Sequence, residues 1–469
     1  EQMGAVLQNT ARSVNIKERL DFSCAVFDAK GGLVANAPHM PVHIGSMDAS
    51  LRALINSGLD MRAGDTFVHN NPYDGGTHLP DINVITPVFD ETGDALLFYV
   101  ASRGHHADVG GIAPGSMSPL ANTIFEEGVI IDCMYLVRDG TFQDAAIQEV
   151  LSSGQYPARN PAQNIADLKA QVAANAKGGA DLLKLCDIYG VDTVVDYMGY
   201  CQDNGEDSVR RAISALSDGT CTYTLDQSSK IRVEISVNKK DGSALIDFSG
   251  TDSQRDDNFN APEAVTHAAV LYVFRCLVGT DIPLNAGCMR PLDIRIPKGC
   301  LLSPAHPAAI VAGNVEISQA VTNALFSALG VLGSSQGTMN NLTFGNDTHQ
   351  YYETICSGAP AGLGFHGVSA IHTHMTNSHL TDPEVLEARF PVRLNRFEIM
   401  RGSGGQGQWN AGDGVRRALE FLEPMECSIL SGNRVIACTG LKGGQAGRLG
   451  RNAIRRANGD TTILKGCDN

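Results

Sequence analysis

The sequence predicts a mixed α+β fold, with antiparallel and mixed sheets, helical segments and several tightly packed subdomains. Three observations carry that reading. Short apolar runs separated by glycine turns fill the chain before Asn160, two long stretches of helical spacing follow, and two-residue alternation returns after Gly219. With 469 residues, the chain is long enough for two or three packed units. Its 43% hydrophobic and 19% charged residues are the composition of an ordinary globular protein.

In order, "CAVFDAKGGLVA" reads as strand, turn, strand; "DASLRALINSG" has helical spacing and a terminal Gly; "DTFVHN" is again a strand. "INVITPVF" and "ALLFYVAS" flank "DETGD", whose Gly and Asp suit a tight reversal, so this segment is expected to be a β-hairpin. "NPAQNIADLKAQVAANAKGGADLLKLCDIYG" and "VDTVVDYMGYCQDNGEDSVRRAISAL" read as helices, with Pro161 near a start and Gly190 at a stop. "GTCTYTLD", "KIRVEISVNK" and "SALIDFSGT" predict a three-stranded meander. Helices over "APEAVTHAAVLYVFRCLVG" and "NVEISQAVTNALFSALG" follow, then Gly-rich sequence with short strands such as "FPVRLNRFEI" and "ALEFLEPMECSIL". The expected regions are a β-rich metal-site region (1–160), a helical segment (161–218), an α+β middle (219–400) and a Gly-rich β region (401–469).

A formal charge of −15 with no run of Lys and Arg argues against nucleic acid. No stretch of about 18 apolar residues marks a spanning helix. The first residues carry neither a signal-peptide pattern nor an initiator Met, so a cytoplasmic protein with a trimmed start is expected. The 12 cysteines are scattered, without a C-x-x-C pair, which suits reduced buried thiols.

Six of the 13 histidines (His39, His43, His69, His78, His105 and His106) lie before residue 107. If the hairpin turns near Gly93, opposed positions add to about 186, and Asp81 faces His105 at a cross-strand Cβ separation of roughly 4.5–5.5 Å. His78 precedes Asp81 by three positions. Two imidazoles and a carboxylate at a hairpin mouth suit a first-row divalent ion. Asp21, Glu18 and His43 are candidates for a fourth ligand, and the bland alternative is a histidine capped by a nearby carboxylate. A second cluster around "GFHGVSAIHTHMTNSHL" offers His372 and His374 as a rival pair if that stretch is a strand. There is no P-loop, no dinucleotide fingerprint and no G-x-S-x-G elbow, and "GSGGQG" and "GLKGGQAG" read as turns rather than phosphate cradles.

"NIKERLDFSCAVFDAKGGLVA", "HMPVHIGSM", "GDTFVHNNPYDGGTHLPDINVITPVF", "RGHHADVGGIAPGSM" and "IFEEGVII" resemble the hydantoinase B family. That family takes in B subunits of N-methylhydantoinases, the matching half of 5-oxoprolinases, and subunits of caprolactamase and of acetone and acetophenone carboxylases. Blocks such as "IPLNAGCMRPLDIRIPKGC" and "GSGGQGQWNAGDGVRRALEF" extend the likeness across essentially the whole chain, which stops short of the family's usual Gly-rich tail. The resemblance implies one hydantoinase B-type unit working beside an ATP-using hydantoinase A-type partner in a hetero-oligomer. The partner would phosphorylate a small-molecule cyclic amide, and this chain would complete its hydrolysis at a divalent ion (zinc, manganese or iron).

It further implies Asp21, His78, Asp81 and His105 as metal ligands, preferring Asp21 over Glu18 and His105 over His106. His106 and Asp108 are then expected to move protons or orient a ligand. Ketone carboxylation at the same site and a non-catalytic scaffold are the alternatives.

Overall fold

The computed structural model describes residues 1–37 and 39–468, Ile44 through its backbone alone; Pro38 and Asn469, the last position of the expected Gly-rich region, lie outside the described residues. Helices α1 (Gln2–Thr10) and α2 (Val14–Lys17) lead into the strands β1 (Phe22–Asp28) and β2 (Leu33–Asn36), which reverse where Asp28 accepts from the N–H groups of Lys30 and Gly32. Then come α3 (Pro41–Ile44), α4 (Met47–Asn56) and the strands β3 (Thr66–His69), β4 (Asp81–Phe89), β5 (Leu96–His105), β6 (Met134–Arg138) and β7 (Thr141–Phe142). Together β1–β7 make one antiparallel sheet in the order β2-β1-β5-β4-β3-β6-β7.

Alternation along β4 and β5 gives this sheet two different faces. Phe22, Cys24, Phe98 and Val100 point one way, toward the helical layer. Ala25, Phe27, Ile85, Tyr99 and Ala101 point the other way and pack on Leu51 and Leu54 of α4. After α5 (Asp144–Leu151) comes the helical layer itself, α6 (Pro161–Tyr189) and α7 (Val191–Ser214). The Asn160 side chain accepts from Gln163 N to cap α6, and Gly190, at φ 85°, separates the two helices. The α6 carboxamides Gln171 and Asn175 donate to carbonyls of Ile82, Ser102 and Val84, tying the helix to the sheet by polar as well as apolar contacts.

The meander forms as expected from β8 (Gly219–Thr224), β9 (Lys230–Asn238) and β10 (Ser243–Asp247). Beyond α8 (Glu263–Cys276), β11 (Leu292–Arg295) adds in parallel to β10, making the sheet mixed. The second expected helix begins as a π-helical turn, Gly313–Ile317, before α9 (Ser318–Leu329). The largest apolar core lies between this sheet, α8 and α9. A third sheet places β12 (Asn341–Gly345) between β13 (Gln350–Thr354) and two later strands. Those follow α10 (Pro383–Arg389), a hairpin of β14 (Val392–Ile399) and β15 (Val415–Phe421), then β16 (Glu426–Leu430), a hairpin of β17 (Asn452–Arg455) and β18 (Thr461–Leu464), and β19 (Cys467–Asp468). All 12 cysteines are free. Among the described residues, no helix is long and apolar enough to cross a membrane.

Candidate metal centre

The β4–β5 register pairs Asp81 with His105, at the numbers the turn around Gly93 predicts. Directly opposed residues point to the same face, so the two side chains meet beside the sheet end. β1 flanks β5 on its other side: Phe22 pairs with Gly104, and the His105 N–H donates to the Asp21 carbonyl (2.9 Å). Asp21, His105 and Asp81 therefore sit side by side at one edge of three adjacent strands. His78 enters from the turn before β4, where Asp81 N donates to the His78 carbonyl. All four side chains are buried.

Asp81 is the hub. Its Oδ1 lies 3.0 Å from His78 Nε2 and 3.2 Å from His105 Nδ1, while Oδ2 accepts from Thr77 Oγ1 (3.0 Å) and lies 3.1 Å from His43 Nε2. Burial alone would push this carboxyl up, but the imidazoles of His43 and His78 and the hydrogen bond from His105 hold it well below the usual carboxylate range. Burial pushes His105 down, toward the neutral form a metal ligand needs, against the opposing pull of Asp21 and Asp81. Asp21 stands slightly apart, its Oδ1 3.8 Å from His43 Nε2 and its Oδ2 3.9 Å from Arg19 Nη2.

The donor set fits a divalent cation. Donor atoms of His78, Asp81 and His105 all lie within 4.8 Å of one another. Asp21 Oδ1, His78 Nδ1 and His105 Nε2 are buried with no hydrogen-bond partner, so the protein alone does not satisfy this cluster. Of the alternatives for a fourth ligand, His43 faces the hub, whereas Glu18 is half-buried at the end of α2.

His106 and Asp108 are not brought to the cluster: the alternation that sends His105 toward Asp81 sends His106 to the opposite face, and Asp108 lies in the loop beyond β5. His106 faces α6, its Nδ1 accepting from Asn164 (3.1 Å) and its Nε2 donating to Gln171 Oε1 (3.1 Å). Asp108 accepts from the N–H groups of Gly110, Gly115 and Arg159 and pairs with the Arg159 guanidinium at 2.9 Å, which organises the loop after β5. The rival pair does not form either, because its segment is not a strand. His372 lies beside Gln336 and Thr354, while His374, at φ 58°, packs against Tyr272 and Phe326.

Three contributors have no signal in the local sequence. Asn314, on the π-helical turn, places Nδ2 3.0 Å from His78 Nε2 and 3.2 Å from Asp81 Oδ2. Tyr352 stacks on His105, with ring centroids 4.6 Å apart, and donates to Asn341 Oδ1. Arg19 donates to the Tyr352 carbonyl and lies over its ring.

The chain is thus an α+β protein whose main sheet gathers buried imidazoles and carboxylates at one edge, in a group that could hold a metal ion. The profile of the hydantoinase B/oxoprolinase family matches residues 1–468, and the chain belongs to that family. It is 47% identical to 5-oxoprolinase 1 of Arabidopsis thaliana over 97% of its own length, and spans 38% of the plant protein. In fold it is similar to the ATP-dependent caprolactamase of Pseudomonas jessenii (TM-score 0.85, 24% identity, 99% of this chain and 84% of that one). The fold is shared too with a nucleotide-free acetone carboxylase structure (TM-score 0.87, 18% identity, 97% of this chain and 65% of that one).

Proposed function

We propose that this chain is the metal-bearing part of an ATP-dependent cyclic amide hydrolase of the 5-oxoprolinase kind. It would complete hydrolysis of a ring amide first phosphorylated by a hydantoinase A-type, ATP-using half. That half would be supplied by a longer polypeptide or by a partner subunit. The observation that carries this reading is the buried cluster of His78, Asp81 and His105, with Asp21 Oδ1, His78 Nδ1 and His105 Nε2 left without partners, in a chain 47% identical to a protein named 5-oxoprolinase.

Asp21, His78, Asp81 and His105 would hold a divalent first-row ion. Such an ion supplies Lewis acidity toward a carbonyl and acidifies bound water. The rest falls to the chain itself. Asp81 fixes the orientation of His78, His105 and His43, and the stacked ring of Tyr352 limits rotation of His105. Asn314 also holds the hub, its Nδ2 on His78 Nε2 and Asp81 Oδ2, while its own buried Oδ1 has no partner. His106 and Asp108 anchor β5 and the loop after it.

The hydrolase reading is preferred to carboxylation because the high identity is to a 5-oxoprolinase, whereas the carboxylase likeness is one of fold. The test is ATP-dependent turnover of 5-oxoproline and related lactams by the intact protein with its ATP-using half. Ring opening in the wild type and none in His78→Ala supports the proposal. Incorporation of labelled bicarbonate into an acid product would replace it with carboxylation, and full activity in His78→Ala with unchanged metal content would leave only a scaffold.

A further inference from the structure

A second group of metal-ligating side chains lies on the same sheet face, outside the centre just described. β3 and β6 pair Val68 with Met134, and one step further along that ladder places His69 beside Cys133. The turn after β3, Pro72–Asp74, swings Asp74 back over them, with Asn71 accepting from Tyr73 N to cap it. Gly75 completes the reversal at φ 86°, a left-handed conformation that glycine adopts without strain. One imidazole nitrogen, one carboxylate oxygen and the Cys133 Sγ all lie within 4.8 Å of one another.

His69 supplies the independent sign that something is meant to bind. Its ring is 1% exposed, and neither nitrogen has a hydrogen-bond partner. The backbone of Asp74 approaches the ring without completing a well-formed hydrogen bond. A buried imidazole satisfied on neither side is costly in a folded protein, and here a thiol sulfur and a carboxylate oxygen lie within 4.8 Å of it. Asp74 is exposed and Cys133 half-buried, so an ion can enter from solvent.

We propose that His69, Asp74 and Cys133 form a second divalent-cation site, of zinc type, separate from the centre at Asp81. Nitrogen, sulfur and oxygen donors together are a zinc set, and thiolate plus carboxylate balance the ion's two charges. Water or Asp132, whose Oδ1 already accepts from Asn71, would complete four-coordination. The bound ion would pin the Pro72–Asp74 turn to β6. That turn opens the loop that delivers Thr77 and His78 to the first centre, so the second site would fix the geometry of the first.

The experiment uses the intact protein, stripped by chelator and titrated with Co²⁺ alone. A thiolate-to-cobalt charge-transfer band is expected, because the Asp81 centre offers no sulfur. The band should persist in His78→Ala, vanish in Cys133→Ser, and need about tenfold more cobalt in Asp74→Asn, at an exposed position. A correctly folded protein without the band, or a band that survives Cys133→Ser, overturns the proposal.

Discussion

Two regions of this molecule put their polar side chains to opposite uses. At the edge of the seven-stranded sheet, His43, His78 and His105 are buried around the Asp81 carboxylate, with buried Asp21 beside them. In the C-terminal part, a cavity of about 980 Å³ is walled by glycine-rich loops with Trp409, Arg416, Arg434, Lys442, Arg448 and Arg451. The large cavity is not where the candidate ligands are. Regular strands fix side-chain direction to the pleat, so a centre that needs four donors within a few ångströms is built there. Glycine loops enclose space: a Cβ on Gly412 would lie 2.0 Å from the Val368 carbonyl, so the loops pack backbone to backbone.

If that contrast is right, the sharpest way to break it is Asp81→Ala. This removes the one group that His43, His78, His105 and Thr77 share. Metal affinity should fall by well over about a hundredfold, beyond the loss typical of removing a supporting group. Metal analysis of the purified variant checks this, and full retention would show that the hub is structural only. The cavity side should respond differently. Arg417 of β15 forms a buried bidentate ion pair with Glu353 of β13, whose Oε2 also accepts from Tyr351. Arg417→Met leaves that carboxylate buried and uncompensated, for an expected loss of about 3–5 kcal/mol in urea unfolding. Metal content should stay at the wild-type level. A variant that loses both stability and metal would show the two regions to be coupled.

The same contrast explains how much of the molecule could be read from its sequence. The hairpin was legible because both its strands and its turn are local, so Asp81 and His105 could be paired from their numbers alone. The meander was legible for the same reason, while β11, joining in parallel across α8, was not. The approach of Asp21 depends on β1 adding to β5, a pairing across about eighty positions that residue patterns do not specify; the residues leave Asp21, Glu18 and His43 open, and the family resemblance prefers Asp21 over Glu18. Asn314 and Tyr352 come from still farther along the chain. His106 and Asp108, expected beside the cluster as supporting groups, lie away from it: strand alternation turns His106 to the other face, and Asp108 is tied into the loop after β5.

The pH dependence of stability tests whether a buried carboxyl without a counter-ion is tolerated only in its neutral form. Glu127 is buried, its Oε1 accepting from the N–H groups of Ile310 and Val311, while Oε2 has no partner. Burial pushes its carboxyl up to about 8, against the lowering pull of those two N–H groups. An unfolded chain ionises this group near the ordinary value of 4.5, so from there to about pH 8 the folded protein holds a proton that the unfolded one has released. Stability contributed at this position is therefore complete below the lower value, declines as pH rises through the window, and is flat above it. Glu127→Gln keeps an acceptor for both N–H groups and cannot ionise. Its urea midpoint should match wild type at acid pH and rise above it progressively toward pH 8; parallel profiles would mean that the folded protein carries this charge without cost. Asp81, equally buried, is held in the opposite direction because the imidazoles of His43, His78 and His105 face it, whereas among the described residues no cation faces Glu127 to offset its burial.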